Sequence, residues 1–247
     1  MMRALTGREI LHIWEVGQGQ HPLDRAMTML HVAFPEATRD DLVLLTIGQR
    51  DTRLLALREQ TFGTRLSSLA ICPACQGQVE FTLNTSDMRT SMDIEPSVEV
   101  QQMTVDGYEV HFHLPNSVDL STHVGYSDVA QARQLLLSRC IVQVSKDGIA
   151  VNVEDVPETI VEALAAQMDE RDPQAEMELD LKCGACGHHW QVLFDIVSFF
   201  WTEIAIHAKR LLGEVHILAQ VYGWRELDIL SMSALRRQFY LEMVTDG

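Results

Sequence analysis

The sequence predicts an α+β fold, mainly helical, with a small antiparallel β insertion and one hairpin motif split across the chain. Three observations predict it. Cys72-Pro73-Ala74-Cys75 and Cys183-Gly184-Ala185-Cys186-Gly187 place four of the five cysteines on two tight turns. Both turns have strand-like alternation beside them, at Gln78 to Leu83 after the first and at Met177 to Leu181 and Trp190 to Phe194 around the second. Asp106-Gly107, between Met103-Thr104-Val105 and Tyr108-Glu109-Val110, has the composition of a two-residue hairpin turn. From Ser198 to Tyr222, apolar residues recur every three or four positions, as in one long amphipathic helix.

Each cysteine pair presents two thiolates on one turn, and two such halves complete a tetrahedral sulfur shell. The spacing therefore predicts a zinc ribbon split between residues 67–83 and 177–196, with Cys72, Cys75, Cys183 and Cys186 holding a structural Zn2+. A closed shell keeps no open coordination position, so the ion is expected to stabilise the fold and not to perform chemistry. Two independent redox dithiols and a disulfide framework compete for the same spacing. The ribbon divides the chain into an N-terminal helical region at 1–66, an inserted β-hairpin and helical region at 84–176, and a C-terminal helical region at 197–247.

The helices follow from caps and breakers. Thr6 with Glu9 makes a capping box for a helix through Trp14. Pro22 opens a second helix that ends before Phe34-Pro35, and a third piece follows Thr38 through Leu45. Gly48 punctuates, and a fourth helix runs from Arg50 to Gln60. Its arginines, with Arg65, are balanced by local acids, which predicts a solvated face for Arg50, Arg53, Arg58 and Arg65. Within the insertion, Ser127 to Val144 predicts a helix capped by Ser127, Lys146-Asp147-Gly148 a turn, and Pro157 the start of another helix that Asp172-Pro173 ends. Gly223 stops the long helix, and Ser231 or Ser233 caps a last one.

The composition of 247 residues, 47% apolar and 22% charged, suits a chain that folds on its own core. Its 35 acidic and 19 basic residues give net charge -16, which opposes nucleic-acid binding, because affinity there rests on basic groups displacing counterions. Residues 151–180 carry ten acids against one arginine, the composition of a solvated face, with a docking surface for a basic partner as the rival. No apolar run reaches the roughly 18 residues of a membrane span. With no charged-then-apolar leader and with thiols paired for metal, a reducing cytoplasm is the expected compartment.

Catalytic motifs are missing. No glycine-rich phosphate loop, Gly-x-Ser-x-Gly elbow or His-Glu-x-x-His helix occurs. His111 and His113 share one face of a strand at a spacing that can bind metal, with no third ligand near in sequence. Cys140 lies in an apolar run and reads as an inert buried thiol. His188-His189 flank the second knuckle. Glu203, His207 and Glu214 on the long helix read as boundary positions of an amphipathic surface. No enzyme and no small-molecule substrate is indicated.

The run Glu214 to Leu230, containing Tyr222-Gly223-Trp224, followed by Arg236-Arg237 and Tyr240-Leu241, resembles the tail segment of the T4-type phage baseplate protein family. The zinc-knuckle form of that family, associated with contractile phage tails and contractile injection systems, is also similar in Leu5-Thr6-Gly7-Arg8-Glu9, Phe62-Gly63, Asp172 to Glu176 and Trp190 to Asp195. The resemblance implies a non-enzymatic structural or assembly component of a baseplate, with other baseplate or tail subunits as partners, in the cytoplasm or in a phage-like particle assembled there. Tyr222, Trp224, Arg236, Arg237, Phe239 and Tyr240 are the expected contact residues, since paired arginines among aromatics have the composition of interface anchors, with internal packing of the aromatics, and of Phe239 and Leu241 over the long helix, as the rival. A zinc-ribbon adaptor docking a basic protein through residues 151–180, outside any phage-like machine, is the alternative.

Overall fold

The computed structural model describes residues 2–88, 99–121 and 129–245. Side-chain caps start its first helices. Thr6 accepts from the Glu9 N–H and Glu9 accepts from the Thr6 N–H, opening α1 (Gly7–Gly17). Pro22 occupies the first turn of α2 (Pro22–Ala33). Thr38 with Asp41 opens α3 (Arg39–Val43), and Thr46 with Gln49 opens α4 (Ile47–Phe62).

The fourth helix thus starts three residues before the expected Arg50, and Gly48 lies inside its first turn. A side chain there would collide with the carboxylate of Asp172, which accepts from the Gly48 N–H at 2.9 Å. Gly48 permits a close approach and does not break the helix.

Strands β1 (Arg65–Ile71) and β2 (Gln78–Asn84) form one hairpin, followed by the short α5 (Thr85–Met88). The insertion contributes β3 (Gln101–Val105), β4 (Tyr108–Phe112), α6 (Ser117–Ser121), α7 (Val129–Cys140), β5 (Ile141–Lys146), β6 (Ile149–Ala150) and α8 (Glu158–Arg171). Its four strands make one antiparallel sheet in the order β3-β4-β5-β6. Asp106 and Gly107 both take positive φ, 48° and 79°, as the expected turn requires. The helix expected to continue to Val144 instead stops at Cys140. Ile141 and Val144 are β-branched and pair with β4, with β-branched Val142 at the register shift between them, so strand packing prevails over a short apolar run that either structure could use. The expected cap Ser127 lies outside the described residues.

A second hairpin, β7 (Glu178–Lys182) and β8 (His189–Leu193), leads into α9 (Ile196–Tyr222), α10 (Glu226–Ser231) and α11 (Ala234–Thr245). Asp195 caps α9 through the Val197 and Ser198 N–H groups, Gly223 ends it in the left-handed region at φ 69°, and Ser233 accepts from the Arg236 N–H at the start of α11.

Among the described residues, apolar burial forms two cores. The larger is helical, with α9 packed against α1, α2, α4, α10 and α11 around Ile13, Leu30, Leu54, Phe200, Ile204 and Leu218. The smaller lies in the insertion, where Val110, Phe112 and Val144 of the sheet meet Leu137 and Cys140 of α7 and Ile160, Leu164 and Met168 of α8.

Two arginines expected on a solvated face are buried. Arg58 is 2% exposed and forks onto Glu203 of α9, with Nε to Oε2 at 2.8 Å and Nη2 to Oε1 at 2.6 Å. It also donates to the carbonyls of Gly63 and Arg65 at 2.6 and 2.7 Å, which fastens the end of α4 and the start of β1 to the long helix. Arg50 is buried beside Asp51, whose carboxylate accepts from Nε at 2.6 Å, and burial raises the pKa of Asp51 against that pull. Local charge balance missed the burial of Arg58 because its carboxylate lies 145 residues away, whereas Arg50 keeps a local acid, Asp51, and the pair is buried together.

Removing the Arg58 guanidinium leaves Glu203 and two carbonyls without their donor. Arg58→Ala is therefore expected to lower the unfolding free energy by about 3 kcal/mol, against a few tenths for Arg53→Ala at the rim. Chemical denaturation of both variants measures the difference, and equal midpoints would contradict the anchoring role.

Candidate metal centre

Both cysteine knuckles have the same local structure. In the first, the Cys72 N–H donates to Gly77 O and the Gln76 N–H to Cys72 O, both at 2.9 Å. In the second, the Cys183 N–H donates to His188 O and the Gly187 N–H to Cys183 O, again at 2.9 Å. The residue after each second cysteine takes the left-handed conformation, Gln76 at φ 59° and Gly187 at φ 73°. The strands flanking each knuckle continue in equivalent register, Ile71 opposite Gln78 and Lys182 opposite His189.

These hairpin tips bring the four sulfurs together, all within 4.8 Å of one another. Cys72 Sγ lies 3.7 Å from Cys186 Sγ, and Cys75 Sγ 3.7 Å from Cys183 Sγ. A tetrahedron with metal–sulfur bonds of ~2.3 Å has edges of about 3.8 Å, so the donor set fits one thiophilic ion. All four are free thiols, and each knuckle's sulfurs lie against those of the other, so they form one shared cluster and not two separate dithiols. Backbone N–H groups of Cys186 and Ala185 stabilise the Cys183 thiolate and bring its pKa down to about 6. The inner cysteines, Cys72 and Cys183, are buried, and Cys75 and Cys186 are exposed, so the cluster sits at a surface tip.

Outside the cluster, His188 stacks along Trp190 at 6.0 Å and neither His188 nor His189 joins the sulfurs. His111 faces Glu109 at 3.1 Å, whereas His113 turns toward Asp119 at 3.7 Å, so the two do not share a site. Burial, with Asp119 adding, pushes the Cys140 thiol up to about 12, which disqualifies it as a nucleophile. Glu203 and Glu214 are structural ion-pair partners of Arg58 and Arg237, and His207 stacks on Phe62 at 4.2 Å. A surface groove of about 330 Å³ is lined by His12, Asp24, His31 and Arg39, and there Arg39 and Asp24 pair with each other at 3.3 Å.

A family model described as T4 bacteriophage base plate protein matches residues 27–201, a span that contains both knuckles, the insertion and the start of α9. The chain belongs to this family. No curated protein and no solved structure matches it. Membership in the T4 base plate family gives the chain a non-enzymatic part in baseplate or tail assembly, and the closed donor set accords with a stabilising metal. The match ends before the run Glu214 to Leu230.

In this base plate family member most of the expected contact residues pack inward. Tyr222, Trp224 and Tyr240 form one aromatic cluster, with Trp224 stacked on Tyr222 at 4.4 Å and edge-on to Tyr240 at 4.8 Å. Arg237 is 5% exposed, donates from Nε to Glu214 at 2.9 Å and from Nη1 to Met232 O at 2.7 Å, and so fastens α11 to α9. Arg236 and Phe239 face outward, in company with Leu235 and Met243, which sequence reading did not single out. The i, i+4, i+8 spacing of Leu235, Phe239 and Met243 was the available signal.

The two hairpins share little packing beyond their tips, so losing one sulfur should loosen the ribbon alone. In Cys183→Ser, amide hydrogen exchange is expected to accelerate across 65–84 and 178–193 while α1, α4 and α9 keep their protection. Unchanged exchange in both hairpins would show that the cluster does not hold them.

Proposed function

We propose that the chain is a structural or assembly subunit of the baseplate of a contractile phage tail or injection system, that the four thiolates hold Zn2+, and that the C-terminal helices contact neighbouring tail subunits. The family match over most of the chain carries this reading. Zinc is favoured because tetrahedral four-thiolate sites without an open position are its usual structural setting. Assembly in the cytoplasm suits thiols that must stay reduced until the metal is bound. Among the described residues, no helix is long and apolar enough to cross a membrane, and partners are accordingly sought among proteins.

On α11 the proposed contact surface is Leu235, Arg236, Phe239 and Met243, with Tyr222, Trp224, Tyr240 and Arg237 setting its shape from beneath. Exposed aromatic and aliphatic side chains beside an arginine have the make-up of an interface core. The acidic stretch 151–180 stays solvated, since all of its acids except Asp172 are exposed. An adaptor acting outside a phage-like machine draws support only from that acidic surface and has no counterpart to the family match.

Arg237 is unsuited to testing the surface, because reversing its charge would break the Glu214 pair and unseat α11. The double variant Arg236→Glu, Phe239→Asp touches only exposed positions and is expected to change stability by no more than about 0.5 kcal/mol. It should stay folded yet be missing from purified particles. Normal incorporation of this variant overturns the C-terminal contact surface, and complete, functional particles formed without the chain at all overturn the baseplate role.

A further inference from the structure

We propose that His113, Asp119 and Cys140 form a second cation site, built for one divalent ion of the zinc class. A ring nitrogen, a carboxylate oxygen and the thiol sulfur lie within 4.8 Å of one another. One ion with bonds of ~2.0 to 2.3 Å can span such a set after small side-chain adjustments. Nitrogen, oxygen and a single sulfur make this a different donor set from the ribbon, and three protein ligands leave a fourth position for water.

The three residues come from three elements that the fold fixes independently of any ion. His113 follows β4 and Cys140 ends α7, and the His113 N–H donates to Cys140 O at 2.9 Å. Asp119 in α6 is locked by a reciprocal cap, its Oδ2 accepting from the Asn116 N–H at 3.1 Å while Asn116 Oδ1 accepts from the Asp119 N–H at 3.2 Å. His113 Nδ1 lies 3.0 Å from Leu114 O and 3.7 Å from Asp119 Oδ2. Because Nδ1 is also the ring nitrogen beside Asp119, an ion shared with that carboxylate would take unprotonated Nδ1, with the ring turned off the Leu114 carbonyl and the proton on Nε2. Arg139 Nε sits 3.7 Å from Asp119 Oδ1, the oxygen turned away from His113, and can remain there as an outer partner of the bound carboxylate.

The charges balance. On binding, the Cys140 thiol releases its proton to solvent, and a dication then meets one thiolate, one carboxylate and a neutral imidazole. Cys140 and Asp119 are buried and His113 is half-buried, so an ion would enter past the imidazole. Its effect would be to clamp β4, α6 and the α7–β5 junction within the insertion, a body that the ribbon sulfurs do not reach.

Cobalt(II) alone, added to the metal-stripped full-length protein and followed by dialysis, tests the site by stoichiometry and by sulfur-to-cobalt charge-transfer absorption. Two equivalents are expected for the parent and one for either His113→Gln or Cys140→Ser, with the intense four-sulfur absorption of the ribbon retained. His113→Gln alters a half-buried position and remains informative should Cys140→Ser fail to fold. One equivalent in the parent, carrying the four-sulfur spectrum and unchanged in His113→Gln, overturns the proposal. One equivalent that lacks the four-sulfur spectrum and is lost in His113→Gln overturns the ribbon assignment and supports this second site.

Discussion

Four sulfurs from hairpins more than a hundred residues apart share one small volume, and the path of the chain follows from that closure. Everything between Cys75 and Cys183 must leave the ribbon and return to it, so the insertion forms its own sheet, its own two covering helices and its own apolar core. The hairpins themselves are poorly supplied with buried surface. Leu69, Ile71 and Leu193 are more than half exposed, and the inward face of β2 is only partly covered. Two-stranded ribbons of this kind are marginal in water, and a metal held by the four thiols would replace the core they lack.

Around the ribbon, the long helix α9 supplies the rigid frame, and two carboxylates on it decide how neighbouring elements sit. Glu203 receives Arg58 from α4, and Glu214 receives Arg237 from α11. Apolar contacts alone would tolerate sliding of one helix along another, whereas a forked ion pair with further backbone bonds fixes one register. We regard these pairs as devices of specificity more than of net stability, because desolvating the charges offsets much of their attraction. The insertion is attached to the helical body in a comparable way. Asp172 accepts from the Gly48 N–H, Ile47 N–H donates to Pro115 O, and Thr46 bridges Asn116, so the joint is polar and directional.

How much of this was legible in sequence depends on the range of the physics. Capping boxes at Thr6 and the Asp106-Gly107 turn are decided within four residues and were read correctly, and the cysteine spacing identified a cluster closed across the whole chain. Ile141 to Val144 was misread because an apolar run of that length suits a helix until its partner strand is known. Arg58 was misjudged because its carboxylate lies 145 residues away, and the pairing of Arg237 with a carboxylate 23 residues away was equally hidden from local pattern. Glu203 and Glu214, isolated acids on an otherwise apolar stripe, were the trace those pairs left in the sequence. His113, Asp119 and Cys140 had no pattern at all, being joined only by the turn of β4 against α6 and α7.

In a member of the base plate family, four thiols placed to close on one metal and a helix frame pinned by ion pairs suit a structural part. A metal in the sulfur cluster is the condition for the ribbon's closure. The direct measurement is an anomalous difference map from crystals of the full chain, recorded at the zinc absorption edge. We predict a peak about 2.3 Å from each of the four sulfurs of Cys72, Cys75, Cys183 and Cys186. No peak among them, or density joining Cys72 to Cys75 and Cys183 to Cys186 as disulfides, would contradict it.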